Sequence, residues 1–256
     1  MSRMSGKVAI VTGASGGIGR ATALEFASEG ADLVLQYNSN RSAAEKVAHE
    51  INSLGREVLL AQVNFSNVKE SPRQVQEMVD TAINKFGKVD FLLNLAGYPA
   101  RGEWNRRFLE VSPDDFFKPI NVDLFGSFLC ARAVAPQFLN QKKGVIVNVS
   151  STPALSGHDR GFAFTVAKAG IIGLTKALAV ELAPYVRVNT IALGNVETEW
   201  VKELTGEELK KEKSENLIKR FGKPEEIAKI LEFLCSDDST FINGQTIVLD
   251  GGSILH

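Results

Sequence analysis

Val8-Ala-Ile-Val-Thr-Gly-Ala-Ser-Gly-Gly-Ile-Gly19, close to the start of the chain, is the stretch that decides the fold. An apolar strand runs into a glycine-rich turn, and a helical pattern begins at Arg20. Glycine suits this turn because the chain bends tightly, the backbone must approach a pyrophosphate without a Cβ atom, and the helix must pack close to the sheet. The helix N-terminus then offers free N–H groups to the phosphates. The residues expected to bind a dinucleotide here are Gly13, Ser15, Gly17, Ile18 and Gly19.

Short apolar runs alternate with longer amphipathic segments along the whole chain. The runs are continuously apolar, as in strands that are covered on both faces of a parallel sheet. They lie at 8–11, 33–35, 58–60, 91–93, 145–147, 186–191 and 247–249. Between them, the apolar spacing from Val75 to Phe86 predicts a helix that ends at Gly87, and a second helix is predicted over 162–183. The alternation predicts an α/β fold with a Rossmann-type doubly wound parallel sheet, in one domain spanning 1–256.

The charge, apolar content and cysteine count limit which partners and which cellular location we expect for the protein. Lys and Arg total 29 and Asp and Glu total 30, for a formal charge of -1, which argues against nucleic acid or an anionic membrane as the main partner. No uninterrupted apolar run approaches the ~18–20 residues of a membrane span, and the first residues lack a signal-peptide pattern. Two cysteines, Cys130 and Cys235, cannot build a disulfide framework in a chain of 256 residues. We expect a cytoplasmic protein.

Five further motifs accompany the glycine turn. They are Asn94-Leu-Ala-Gly97, Val147-Asn-Val-Ser-Ser151, Ala167-Lys-Ala-Gly170, Val186-Arg-Val-Asn-Thr-Ile191 and Asp250-Gly-Gly252. With the G-x-x-x-G-x-G spacing of the turn, they make the chain resemble the short-chain dehydrogenase/reductase family over essentially its whole length. Within that family it is similar to 3-oxoacyl carrier-protein reductases and glucose dehydrogenases. The resemblance implies hydride transfer between a nicotinamide cofactor and a small-molecule carbonyl or alcohol. It also implies that the nicotinamide and pyrophosphate are lined by Ala96, Gly97, Gly194, Val196 and Thr198.

The end of the second predicted strand bears on the choice of cofactor. A carboxylate there would bind the ribose hydroxyls of NAD and repel the 2′-phosphate of NADP, but the family's acidic position falls on Tyr37. Asn38 and Ser39 offer hydrogen-bond donors and Arg41 a nearby positive charge. We therefore expect NADP(H), with NAD(H) as the alternative. Asn64-Phe65 stands where the family usually has Asp-Val beside the adenine, and the Asn64 amide can still bond the adenine amino group.

The catalytic positions match the family only in part. The family moves the proton with a Tyr four residues before a Lys, so that both side chains share one helix face. The Lys lowers the pKa of the Tyr and holds the nicotinamide ribose, a Ser bonds the substrate oxygen, and an Asn completes the relay. By resemblance Lys168 and Ser151 occupy two of these positions. The Tyr position is Phe164, which cannot transfer a proton, and the Asn position is Asp123.

Three interpretations of Phe164 stay open. The protein is an oxidoreductase with a substitute proton relay, for which His158, Tyr98 and Asp123 are the candidates. Alternatively, it is a catalytically impaired or inactive nucleotide-binding homologue with a regulatory or binding role. In the third, Phe164 is a change introduced into an otherwise ordinary reductase.

The remaining predictions concern substrate and assembly. Arg101, Arg106 or Arg107 could attract an anionic substrate, with a solvated loop as the alternative. The charged segment 197–223 is expected to be a substrate lid, with a plain solvated helix as the alternative. The resemblance implies a homotetramer, with a homodimer as the alternative, in which helices 116–140 and 162–183 pair between subunits. Small residues suited to close helix approach are Ala167, Ala169, Gly170, Gly173 and Ala177. No metal site is expected.

Overall fold

A computed structural model describes residues 2–99 and 102–255, and within them the chain forms seven strands and nine α-helices. Arg101 lies outside these residues. The strands are β1 (Val8–Val11), β2 (Asp32–Tyr37), β3 (Val58–Gln62), β4 (Phe91–Asn94), β5 (Gly144–Ser151), β6 (Val186–Leu193) and β7 (Thr246–Leu249). The helices are α1 (Gly17–Ser28), α2 (Arg41–Ser53), α3 (Ser71–Phe86), α4 (Pro113–Pro119), α5 (Gly126–Asn140), α6 (Pro153–Ser156), α7 (Phe162–Glu181), α8 (Gly206–Ser214) and α9 (Pro224–Cys235).

All seven strands pair in parallel in one sheet, in the order β3-β2-β1-β4-β5-β6-β7. The order reverses beside β1, where Val11 lies opposite Leu35 of β2 and Leu93 of β4. In open α/β sheets a ligand binds at this switch point, outside the carboxyl ends of the strands. Each of the seven predicted apolar runs is a strand, and the prediction of a Rossmann-type doubly wound fold is confirmed.

Two apolar layers cover the sheet, one on each face. Successive strand residues point to opposite faces, so Ala9 and Val11 pack with α1, α2 and α9, while Val8 and Ile10 pack with α3 and α5. Each layer also contains one cysteine, Cys235 in the first and Cys130 in the second. Burial on both faces is the reason that the strands are continuously apolar.

The predicted helices mostly have the expected bounds. Helix α3 buries the predicted stripe and ends at Gly87, whose φ of 76° is the left-handed conformation that favours glycine. Helix α7 begins at the predicted residue and ends two residues earlier than predicted, at Glu181.

The predicted helix 116–140 is divided into three parts. Helix α4 ends at Pro119, a π-helix covers Ile120–Phe125, and α5 begins at Gly126. Pro119 has no backbone N–H and cannot continue the regular hydrogen-bond ladder, so the helix widens after it. This places Asp123 inside the π-helix with its side chain buried.

Two helical spans, Pro113–Asn140 and Phe162–Glu181, are long and apolar enough to cross a membrane by length and composition alone. Core helices of soluble proteins pass the same test. Helix α5 buries Leu129, Val134 and Phe138 against the sheet, and α7 buries Ala179 there. The apolar residues on the inward face of each helix are therefore explained by packing against the sheet.

Candidate functional site

The glycine turn has the close backbone approaches that its sequence predicts. Gly13 has a φ of 66°, and a Cβ atom on it would lie 2.9 Å from the Ala96 Cα atom. A Cβ atom on Gly19 would lie 2.2 Å from the Gly13 carbonyl oxygen, so α1 starts directly against the turn. The first amides of α1, from Gly17 to Gly19, have no acceptor within the helix. The turn therefore forms a cradle of free N–H groups that a diphosphate fits.

Two buried polar side chains hold the turn in place, and the sequence analysis did not identify either one. The Thr12 hydroxyl accepts hydrogen bonds from the amides of Leu95 (2.9 Å) and Ala96 (3.0 Å). The Gln36 side-chain oxygen accepts from the Gly13 amide at 2.8 Å, and its Nε2 donates to the Val63 carbonyl at 2.8 Å. Their signal in the sequence is a polar residue at the end of an otherwise apolar strand.

Of the residues predicted to line the pyrophosphate and nicotinamide, Ala96 and Thr198 lie against the glycine turn. A Cβ atom on Gly17 would lie 3.0 Å from the Thr198 methyl group. Gly194 packs against Asp250, where a Cβ atom would come within 2.7 Å. Val196 is buried and forms an isolated bridge with Gly222. The loop after β6 is thus tied at its far end to the segment that precedes α9.

The tip of β2 presents two of the three residues predicted to meet the ribose of the cofactor. Tyr37 is only 5% exposed, whereas Asn38 and Ser39 are exposed. The Asn38 carbonyl accepts from the Gln62 side chain, so this backbone is held to β3. Arg41 forms an exposed ion pair with Glu45 one turn along α2. Its charge is therefore already partnered within the helix.

The position beside the expected adenine is formed by Asn64 and Phe65. The Asn64 side-chain oxygen accepts from the Ser66 amide at 3.1 Å, and its backbone amide donates to the Gln74 side chain at 2.9 Å. The Phe65 ring packs against Gly126, where a Cβ atom would lie 2.9 Å away. Asn64 is therefore held by its own loop, with one lone pair of the oxygen still available to an amino group.

A chain of buried amides and hydroxyls fixes α7 against the sheet. The Asn94 Nδ2 donates to Asn148 Oδ1 at 2.8 Å, and the Asn148 Nδ2 donates to the Thr175 hydroxyl at 2.9 Å. The Ser150 hydroxyl donates to the Lys168 carbonyl at 2.8 Å. These bonds set the register between β5 and α7, which carry Ser151 and Lys168 respectively.

Lys168 and Ser151 occupy the carboxyl edge of the sheet. The Lys168 side chain is only 8% exposed, and its ammonium donates to the Val149 carbonyl at 3.0 Å. The Ser151 hydroxyl donates to the Leu193 carbonyl at 3.1 Å. A Cβ atom on Gly97 would lie 4.0 Å from Lys168 Nζ, so this ammonium lies beside the predicted cofactor-lining loop.

Asp123 forms a buried ion pair with Lys168, with 3.5 Å between its Oδ2 and Nζ atoms. Its Oδ1 accepts from the Tyr98 amide at 2.6 Å. Burial raises the pKa of the Asp123 carboxyl, while the Lys168 ammonium and the Tyr98 amide oppose that effect. Of the three residues proposed as substitute proton carriers, Asp123 is the one that contacts Lys168.

Phe164 lies between Lys168 and an aromatic cluster. Its ring centre is 5.6 Å from Lys168 Nζ and 5.4 Å from the Trp104 ring, in an edge-to-face arrangement. Trp104 also covers Gly161, at a backbone position where a Cβ atom would come within 2.3 Å. No pattern in the sequence marks Trp104 for a role in the site. It packs against the residue that stands in the Tyr position.

Tyr98 and His158 point to different neighbours. The Tyr98 hydroxyl donates to Glu103 at 3.1 Å, and Glu103 also accepts from Lys118 at 3.0 Å. Burial and Glu103 raise the pKa of the Tyr98 phenol, which makes it a weaker acid. The His158 ring lies 5.7 Å from the Trp104 ring.

His158 also lines a cavity of about 580 Å³ beside the site. The cavity is bounded by Arg106, Arg107 and Arg160, with Phe108 and Phe162 among its apolar walls. Two of the guanidinium groups are already paired, Arg106 with Asp115 and Arg160 with Asp159 and Glu212. The predicted attraction of an anion by these residues is thus reduced by neighbouring carboxylates. In residues 2–99 and 102–255 no cluster of three His, Cys, Asp or Glu side chains is placed to hold a metal.

A parallel sheet with a glycine cradle at its switch point defines the class of Rossmann-type α/β proteins. A family model described as enoyl-(acyl carrier protein) reductase matches residues 13–253. The chain belongs to the short-chain dehydrogenase/reductase family.

Curated relatives and solved structures agree with this membership. The chain is 36% identical to a 3-oxoacyl-(acyl-carrier-protein) reductase of Synechocystis sp. over 100% of both chains. It is 35% identical to the enzyme of that name from Thermotoga maritima, over 99% of this chain and 100% of the relative. A short chain dehydrogenase from Burkholderia cenocepacia, solved in complex with NADP, superposes with a TM-score of 0.87 at 29% identity, covering 98% of this chain and 99% of that one. A short-chain type dehydrogenase/reductase from Mycobacterium marinum superposes with a TM-score of 0.89 at 30% identity, covering 99% of this chain and 97% of that one.

Proposed function

We propose that this chain is an NADP(H)-binding oxidoreductase that reduces a carbonyl or oxidises an alcohol. The observation that carries the proposal is the meeting of the glycine cradle, the Gly97 loop and the Lys168 ammonium at one edge of the sheet. Gly13, Ser15, Gly17, Ile18 and Gly19 would hold the diphosphate. Ala96, Gly97, Gly194, Val196, Thr198 and Lys168 would hold the nicotinamide half. When bound, the nicotinamide supplies or accepts the hydride.

NADP(H) is the preferred cofactor in this proposal, with NAD(H) as the alternative. No carboxylate occupies the end of β2, since position 37 is a buried Tyr and the next two residues are Asn38 and Ser39. A 2′-phosphate therefore meets no repulsion from β2. The relative from Burkholderia cenocepacia was solved with NADP, which supports the same choice. Asn64 and Phe65 would contact the adenine.

The substrates to test first are 3-oxoacyl thioesters, because relatives of matching length are named as reductases of 3-oxoacyl carrier proteins. The cavity beside His158 combines aromatic walls with arginines, which suits a substrate that has an apolar chain and an anionic group. Ser151 would bond the substrate oxygen.

A second candidate function rests on Phe164. Loss of a general acid typically costs about 10²–10⁴ in rate, and neither Tyr98 nor His158 contacts Lys168 among the described residues. A homologue that binds the dinucleotide but turns over slowly or not at all, with a regulatory or binding role, fits the same geometry.

One sample distinguishes the two candidates. We expect titration with NADPH, followed by nicotinamide fluorescence, to show saturable binding that is tighter than for NADH. Absorbance at the nicotinamide band with 3-oxoacyl thioesters, ketones and sugars then measures turnover. Binding with turnover above the enzyme-free rate supports the oxidoreductase, and binding without it supports the second candidate. Folded protein that binds neither dinucleotide would refute both.

The proposal extends to assembly and location. We propose a cytoplasmic protein that forms a homotetramer, with a homodimer as the alternative, and that has neither nucleic acid nor membrane as its main partner. The segment 197–223 would act as a substrate lid. It contains a 3-10 turn at Glu199–Glu203 and α8, in which no residue is buried.

A further inference from the structure

Lys168 and Asp123 form a buried ion pair in which each charge is stabilised by the other. The exposed fractions of their side chains are 8% and 0%. A single charge left in such an environment is strongly destabilising, because it has lost its hydration without gaining a partner. The carboxylate is the negative group that compensates the lysine in this structure.

The surroundings of the pair are otherwise neutral. In the part of the chain that the structure describes, Asp123 meets the Tyr98 amide and one charged side chain, Lys168. Lys168 in turn meets the Val149 carbonyl and the face of the Phe164 ring. Burial raises the pKa of the Asp123 carboxyl, and the amide and the ammonium oppose that effect because both favour the ionised form.

We propose that Asp123 is a positioning residue that neutralises and holds the Lys168 ammonium, so that Asp123 and Phe164 form a matched pair. The carboxylate supplies the negative charge that a phenolate at position 164 would otherwise bring to Lys168. A tyrosine introduced at position 164 then becomes an effective acid only if Asp123 is replaced as well.

The reason is electrostatic. A nearby ammonium lowers the pKa of a phenol, and a nearby carboxylate raises it, each by about 1–3 when the charges are within ~4–6 Å. Lys168 Nζ lies 5.6 Å from the centre of the ring at position 164, and the Asp123 carboxylate lies 3.5 Å from that ammonium, so the carboxylate offsets the effect of the ammonium on a phenol there. The other titratable groups that line the small cavity at Phe164 are Tyr98, Glu103 and Asp115. They are the same in every variant compared, so differences between variants report Asp123.

The experiment compares the single variant Phe164→Tyr with two double variants, one that adds Asp123→Asn and a control that adds Asp114→Asn. Asn keeps an acceptor for the Tyr98 amide, and Asp114 is an exposed carboxylate at the start of α4. The added phenol is titrated by ultraviolet difference absorbance against the matching Phe164 parent, without cofactor. We expect a phenol pKa lower by about 1–3 in the double variant with Asp123→Asn than in the other two proteins.

Two results would overturn the proposal. One is an equal phenol pKa in all three proteins. The other is a phenol pKa well below the usual value of tyrosine in the single variant Phe164→Tyr. This variant keeps the buried pair, so the result does not depend on whether the double variant with Asp123→Asn folds.

A second measurement rests on the proposed function, namely NADPH-dependent reduction as a function of pH. We expect a gain of about 10²-fold or more over Phe164→Tyr only in the double variant with Asp123→Asn. Failure to bind NADPH would refute the proposed function and leave the phenol titration to decide the inference.

Discussion

A methyl group on Gly19 would lie 2.2 Å from the carbonyl oxygen of Gly13, far inside van der Waals contact. At the scale of single residues, this close approach is the most demanding feature of the site. The oxygen belongs to the backbone and a Cβ atom is held rigidly by its own Cα atom, so neither can move aside as the end of a flexible side chain would. The identity of this residue is therefore fixed by packing as well as by the expected ligand.

We expect Gly19→Ala to lower the free energy of unfolding by about 1–3 kcal/mol, because the added carbon forces the start of α1 away from the turn. NADPH binding should weaken in the same variant. Thermal or denaturant unfolding and the fluorescence titration measure both effects. The control is Gly206→Ala, at a position where a Cβ atom meets nothing within 4 Å. Equal stability and equal affinity in the two variants would contradict the close approach.

The sequence predicts the structural role of the glycines in the turn well, but it does not predict the buried polar side chains that hold the turn. A glycine pattern directly after a strand is compatible with few backbone arrangements, and the structure has its close contacts where the pattern predicts them. Thr12 and Gln36 were not predicted, because their roles depend on partners 23 or more residues away in the chain. The same holds for Trp104, which reaches Phe164 only through the folding of the loop after β4.

At the scale of elements, the main difference from prediction is the π-helix. The family resemblance implies a helix over 116–140 but carries no information on its hydrogen-bond ladder. The sequence does contain the cause, Pro119, which lacks the amide needed to continue the ladder. The small residues of α7 lie on more than one face of the helix. Ala167 is buried in its own subunit and Gly170 packs against Leu124, whereas Ala169, Gly173 and Ala177 face outward.

Helix α8 is held to the site mainly through Glu212. Its carboxylate accepts from the Asn195 side chain at 2.8 Å and lies 3.5 Å from the Arg160 guanidinium. Thr205 and Glu208 form a capping box that starts the helix, but no residue of α8 is buried. If segment 197–223 is a lid, Glu212 is the contact that holds it closed.

We expect Glu212→Ala to weaken this closure by about 1 kcal/mol, which raises the open population about fivefold. The rate of tryptic cleavage at the lysines of α8 measures the effect, since a protease cuts the opened form. Glu207→Ala, an exposed substitution in the same helix, is the control. Identical cleavage rates for both variants and the unaltered protein would show that Glu212 does not hold the segment.

At the scale of the whole molecule, the exposed side of α7 is an apolar face that has no partner among residues 2–99 and 102–255. Val166, Gly173 and Val180 recur every seven residues on the exposed side of α7, and Val180 is 81% exposed. Phe117 and Phe128, on the two helices that flank the π-helix, are also exposed. A stripe with this spacing is typical of a helix that packs against another helix, as the proposed tetramer requires.

We expect the protein to sediment as a tetramer or dimer, and Val180→Glu to shift it to smaller species, because a charge in an apolar helix contact is costly to bury. Analytical ultracentrifugation measures both. Leu54→Glu adds the same charge at an exposed apolar residue just after α2 and should leave the assembly unchanged. A monomeric parent protein would refute the proposed assembly.

The two apolar layers give this protein a pair of chemically silent thiols. Cys130 and Cys235 lie on opposite faces of the sheet, 0% and 3% exposed, and burial raises the pKa of Cys130 to about 12 and that of Cys235 as well. A buried thiol that stays protonated reacts with neither alkylating reagents nor oxidants. Modification of each cysteine thus marks the moment when its own side of the molecule opens. The order in which the two cysteines are labelled during gentle denaturation would show which of the two apolar layers unfolds first.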